Sequence, residues 1–259
     1  NMSGFVNFGQ RPFSYSIPSG YKSLCTTNLS EPTIKQPNQY FDTSLYTGNG
    51  TGQSVTNSGS FQPDFVWIKD RSAVATHVLT DAVRGTTKQI FSNLTNAEQT
   101  NSTYLTSFNS NGFTVGVGTS GTGVVNNTTP DAFVAWQWNA GGSTVTNTSG
   151  TISSQVRANP TAGFSIVTYT GNGTAGATVG HGLNSALKML IVKNRTQGTY
   201  GNWQVWNSSL TGSQYLELNA NHETYTNTNR WNGTIPTSDV FSLGADSFGN
   251  TNKSGDTYV

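Results

Sequence analysis

The hexapeptide Tyr-Thr-Gly-Asn-Gly-Thr occurs at Tyr46–Thr51 and again, letter for letter, at Tyr169–Thr174. The segments downstream of the two copies match as well, and this limits the folds open to the chain more than any other feature. The first copy leads to Phe65-Val-Trp-Ile-Lys-Asp-Arg-Ser72, and the second to Met189-Leu-Ile-Val-Lys-Asn-Arg-Thr196. Gly112-Phe-Thr-Val-Gly116 is answered by Val240-Phe-Ser-Leu-Gly244, and Asp131-Ala-Phe-Val134 by Asp256-Thr-Tyr-Val259. Tyr46 and Tyr169 lie 123 positions apart, Phe65 and Met189 124, and Asp131 and Asp256 125, so the register drifts by single insertions. Self-similarity over a domain's length predicts two copies of one fold in tandem.

The repeated segments read as strands. FVWIKDR and MLIVKNR are short apolar runs that end in charge, and Val78-Leu-Thr, Gln204-Val-Trp, Lys88-Gln-Ile-Phe and Gln214-Tyr-Leu-Glu-Leu come next in the same order. Gly48-Asn-Gly50, Asn111-Gly and Asn232-Gly supply turns between them. With 29 glycines, 11% aromatic residues and no long runs of helix formers, the chain is expected to be all-β. Short strands without helical crossovers predict tandem antiparallel β-sandwiches of jelly-roll or concanavalin-like type.

Only 10% of residues are charged and the formal net charge is +1, so no basic field exists to neutralise phosphates or dock on anionic lipid. Nucleic acid is not expected as a partner, and neither is membrane insertion, because no apolar run reaches spanning length. No signal segment opens the chain. Cys25 is the sole cysteine and reads as a small buried hydrophobe.

The expected organisation is a first piece at 1–38, a β-sandwich at 39–139, a linker with one possible strand at 140–160, and a second β-sandwich at 161–259. The linker reading rests on Ala140-Gly-Gly-Ser-Thr-Val-Thr-Asn-Thr-Ser-Gly150, which is small and polar. The first copy runs on after Asp-Ala-Phe-Val as Ala135-Trp-Gln-Trp138, whereas the second reaches Val259 in mid-strand, which suggests a fragment of a longer chain.

Ser3-Gly-Phe-Val-Asn-Phe-Gly-Gln-Arg-Pro-Phe13 and the segment through Asn28-Leu-Ser-Glu-Pro32 resemble the closing strands of SPRY-type, concanavalin-like sandwiches of phage proteins. Ala162 to Thr174, Val179-Gly-His-Gly-Leu183, Lys188 to Arg195 and Thr237 to Gly244 resemble a domain of unknown function found in tandem in tail-fibre-like proteins of tailed phages. That resemblance implies a virion structural protein on the particle surface, made in the host cytoplasm. It also implies other virion proteins as partners, a homotrimer, and host cell-surface polysaccharide as the target. A capsid decoration or vertex fibre is the neighbouring reading, and a polysaccharide depolymerase the third. The resemblance carries no catalytic residues.

A search for chemistry agrees with a protein that is not an enzyme. His77, His181 and His222 are the only imidazoles, and no serine sits in a Gly-x-Ser-x-Gly elbow. Glycoside cleavage needs two facing carboxylates; Glu98 and Glu223 each lack an evident partner, and Glu217, alternating with Leu216 and Leu218, is expected to face solvent. The Asp246–Asp256 loop offers oxygens without calcium-loop spacing, so no metal and no cofactor are expected. Trp67, Trp136 and Trp206 sit in strands and read as core. Aromatic and polar side chains in or near the loops of the second copy are therefore the expected host-binding candidates: Tyr200, Trp203, His222, Tyr225, Arg230 and Trp231.

Overall fold

In the computed structural model, residues 19, 32–117, 125–127 and 131–259 are described, and residues 36–259 form one compact unit. The SPRY-like reading of 1–38 and the burial of Cys25 fall largely or wholly outside the described residues. The chain is all-β, as expected, and its one α-helix among the described residues is a single turn.

The first half runs β1 (Phe41–Thr47), β2 (Gln53–Thr56), β3 (Phe65–Asp70), β4 (Val78–Asp81), β5 (Lys88–Phe91), β6 (Gln99–Thr100), β7 (Leu105–Asn109), β8 (Gly112–Val115) and β9 (Ala132–Trp138). A six-stranded sheet in the order β1-β9-β3-β4-β5-β6 packs on a three-stranded sheet in the order β2-β8-β7. Between them lies a core that includes Val55, Val66, Ile68, Phe113, Val115 and Phe133. Alternation decides who enters it: Val66, Ile68 and Asp70 of β3 are buried, while Phe65, Trp67 and Lys69 face the other way.

The second half contains β10 (Val145–Asn147), β11 (Ser154–Asn159), β12 (Phe164–Thr170), β13 (Ala177–Gly180), β14 (Met189–Val192), β15 (Gln204–Asn207), β16 (Gln214–Glu217), β17 (Tyr225–Thr226), α1 (Thr228–Trp231), β18 (Val240–Leu243) and β19 (Thr257–Tyr258). Its sheets are β10-β11-β12-β19, β14-β15-β16-β17 and β13-β18. The stretch expected as a linker holds β10 and all of β11, and both join the sheet of β12.

Corresponding segments pair alike. β9 lies between β1 and β3, with Tyr46, Phe133 and Asp70 in one row. Likewise Tyr258 lies between Tyr169 of β12 and Asn194. The Tyr46 and Phe133 rings stack at 5.2 Å, and those of Tyr169 and Tyr258 at 5.0 Å. β2 pairs with β8 as β13 pairs with β18.

These pairings give the repeated hexapeptide its physical content. Its Tyr crosses the sandwich to donate a hydrogen bond to a distant carbonyl, Tyr46 to Val125 and Tyr169 to Thr251. Its first Gly packs too closely for a side chain: a Cβ on Gly48 would stand 2.7 Å from Asn127 Oδ1, and one on Gly171 2.4 Å from the Lys253 carbonyl. The Asn side chain accepts the amide of the closing Thr, at Thr51 and at Thr174, and the intervening Gly takes a left-handed φ of 68° or 73°.

The halves meet through an interface of their own. Leu79, Ile90 and Trp203 cluster with Phe65, Trp67, Ile191 and Val259. Phe164 stacks on Trp138 at 5.7 Å. Arg195 grips Glu98 with two hydrogen bonds, Nε to Oε2 at 2.8 Å and Nη2 to Oε1 at 3.0 Å, while Arg84 adds a third at 3.1 Å. Arg157 pairs with the fully buried Asp64. Fully buried Lys193 donates to the carbonyls of Thr95 and Asn194, both at 2.9 Å.

Candidate functional site

Strand alternation turns Phe65, Trp67 and Lys69 of β3, and Trp136 and Trp138 of β9, onto the outer face of the six-stranded sheet. The second half covers one end of that face through Phe164 and Trp203 and leaves Trp67 at the margin, partly exposed. There the halves diverge around an open cleft of about 500 Å³. The first half lines it with Trp67, His77, Ser92 and Asn93, and the second with the turn Leu218–Asn221.

Hydrogen bonds hold the walls. Trp67 Nε1 donates to His77 Nδ1 at 2.9 Å, and the backbone amide of His77 donates to Asn93 Oδ1 at 3.0 Å. Opposite them, Asn219 Oδ1 accepts the Trp203 amide at 2.8 Å, and its amide nitrogen donates to Asn202 Oδ1 at 2.9 Å. Because Nδ1 of His77 is an acceptor, the ring is neutral and carries its proton on Nε2. Burial, and then the charge of Lys69, pushes its pKa below the ordinary histidine value and keeps it in that form.

The cleft thus offers an indole, an imidazole N–H, several amides and the exposed apolar Leu218, with no carboxylate among the lining residues. That mixture suits a polyhydroxylated ligand, whose C–H faces pack on rings while its hydroxyls meet amides.

The six residues expected from the sequence do not form one exposed site, although His222, Tyr225 and Arg230 gather about the Tyr215 ring. Trp203 is a correction: it is 4% exposed and its Nε1 donates to the carbonyls of Phe91 at 2.9 Å and Leu94 at 3.1 Å, so it seals the junction between halves. Trp231 is another, 1% exposed inside the second core, where α1 carries it. Arg230 is also buried, with its guanidinium 4.9 Å over the Tyr215 ring, Nε bound to Gln204 Oε1 and an ion pair to Asp246 at 3.4 Å. In each case burial removes the side chain from any ligand's reach. Tyr200 is 52% exposed, with its ring 5.7 Å from that of Phe248. His222 is exposed and lies 5.6 Å from Tyr225, which stacks on Tyr215 at 5.4 Å.

The carboxylates are likewise accounted for. Glu98 is locked by two arginines; burial alone would raise its pKa, but Arg195 and Arg84 outweigh that and hold it below the ordinary value. Asp246 organises its own loop, accepting from the amides of Phe248 and Thr251 and from Asn250. Glu217, expected to face solvent, is partly buried and accepts from Gln204 at 3.4 Å, whereas Glu223 is exposed.

Sequence reasoning places Trp67 in the core and leaves His77 out of the binding candidates. One signal points the other way: Trp67 shares its parity in β3 with Lys69, and a lysine side chain is seldom turned into a core.

A family model described as "Domain of unknown function (DUF7483)" matches residues 36–259. The chain belongs to that family. The match spans both halves in one stretch, so the family's unit includes the junction and the cleft it forms. No curated protein and no solved structure matches the chain.

Proposed function

We propose that this chain is a structural protein of a tailed-phage virion, a tail fibre or appendage, whose paired sandwiches attach the particle to host-surface polysaccharide. The observation that supports attachment is the cleft between the halves, where Trp67 and His77 face the amide-rich turn Leu218–Asn221. An assembly with other virion proteins, and a trimer of this chain, would present several such clefts at once, so weak single sites would suffice for firm adhesion.

A second reading, a capsid decoration or vertex fibre acting as a spacer, draws on the junction. The Glu98–Arg195 and Arg157–Asp64 pairs tie the halves as a rigid rod segment needs. Glu98 gives both of its oxygens to arginines, which favours attachment over the depolymerase reading.

Glycan-array binding of the purified protein to host surface polysaccharides tests the first reading, with Trp67→Ala and Asn221→Ala checked for folding by circular dichroism. Retention on defined polysaccharides that both folded variants lose supports it. Silence across the array moves the assignment to the spacer. Gold-labelled antibody on intact particles separates tail from capsid.

A further inference from the structure

The cleft ends at Trp67, but the row of rings does not. Trp136 is the direct cross-strand neighbour of Trp67 on the same outer face, with ring centroids 6.0 Å apart at 77°. His77, the residue before β4, lies diagonally from Trp67, whose direct β4 neighbour is Leu79, with ring centroids 5.8 Å apart at 74°. His77, Trp67 and Trp136 are therefore successive neighbouring rings. Near-perpendicular neighbours do not merge into one shelf, so Trp67 and Trp136 each offer a separate place to stack. Trp136 is not among the residues lining the cleft, is partly exposed, and has Thr43 of β1, itself exposed, as its next cross-strand neighbour.

We infer that Trp136 forms a second saccharide subsite beside the Trp67 cleft, so that the ligand is a stretch of linear polysaccharide lying across the strands rather than a single terminal sugar. This rests on the polysaccharide-attachment function proposed for the cleft. One unit sits between Trp67, His77 and the Leu218–Asn221 turn, where amides sort its hydroxyls. The adjoining unit packs a C–H face on Trp136 with few polar contacts, which makes the second subsite permissive for sugar identity but dependent on chain length. His77 is a positioning residue: its Nδ1 holds the Trp67 ring at the boundary between the two subsites.

The test is calorimetric. The polysaccharide retained on the array is cut by mild acid into a ladder of one to eight sugar units, and each is titrated into wild type, Trp136→Ala and Trp136→Phe. Expected is a rise in affinity of about tenfold between one unit and the first oligomer long enough to reach Trp136, equivalent to ~1.4 kcal/mol. Trp136→Ala should remove that rise while leaving affinity for the single unit unchanged, and Trp136→Phe, which keeps a smaller ring, should retain part of it. Single units that bind as tightly as octamers, or a folded Trp136→Ala with the wild-type length dependence, would overturn the inference and leave the polysaccharide reading standing. Absence of any retained polysaccharide would remove both.

Discussion

Lys193 is wholly buried, and its ammonium reaches across the junction to the Thr95 carbonyl. Burial lowers its pKa from 10.5 to about 8. Below pH 8 the lysine is charged in both folded and unfolded chains, and the folded state carries the whole penalty of that buried charge. Between pH 8 and 10.5 the unfolded chain binds more protons than the folded one, so stability rises with pH. At 1.36 kcal/mol per pH unit the full rise is roughly 3 kcal/mol, most of it reached by pH 10. Lys193→Met keeps the aliphatic stem but abolishes the titration. Its stability at pH 7 depends on how well Met packs against the two carbonyls left without their donor, so the pH dependence of the difference is the decisive quantity. Urea unfolding followed by circular dichroism, every half unit from pH 7 to 10, should show wild type gaining ~2 to 3 kcal/mol on the variant above pH 8. Tyr169 and Tyr258, whose burial raises their pKa, destabilise both proteins alike as their unfolded forms ionise, and so drop out of the comparison. Curves that stay parallel throughout would refute the reasoning.

Glu98→Gln leaves Arg84 and Arg195 without their shared carboxylate and should cost about 3 kcal/mol in denaturant unfolding. Because Glu98 has its pKa held below the ordinary value, its contribution is present above the unfolded pKa and is lost as pH falls through the folded one; the variant should lack that acid-dependent step. Protonating His77 turns Nδ1 into a donor and breaks its bond to Trp67, so ligand affinity should fall as pH drops below the ordinary histidine range, and His77→Gln should flatten that profile. Gly171→Ala would press a methyl group onto the Lys253 carbonyl and should lower stability by about 2 kcal/mol, measured by thermal melting.

Much of this architecture is legible from residues alone. Period-two alternation, turn chemistry and scarcity of helix formers dictate an all-β chain, and the repeated hexapeptide announces where a Tyr must cross a sandwich and where a Gly must admit a carbonyl. Local pattern misleads about one element, the small polar stretch that reads as a linker but carries β10 and β11, and otherwise about faces. Trp203 comes after a glycine-containing loop and looks available, yet its indole is enclosed by Phe91 and Leu94, more than a hundred positions earlier. Arg230 and Trp231 sit in a polar segment, yet a single helical turn carries them inward. Trp67 lies in an apolar strand and looks like core, yet it borders the cleft.

The amino-acid order by itself determined the strands, their turns and which residues share a side of each strand, because those depend on backbone geometry over a few neighbours. Which outer face becomes a buried junction and which stays open depends on how the second half docks on the first. That docking is set by Lys193 meeting Thr95, Arg195 meeting Glu98 and Trp203 entering beside Phe91. Such contacts join residues too distant in sequence for any local pattern to encode, and the cleft between Trp67 and the Leu218–Asn221 turn exists only once they are made.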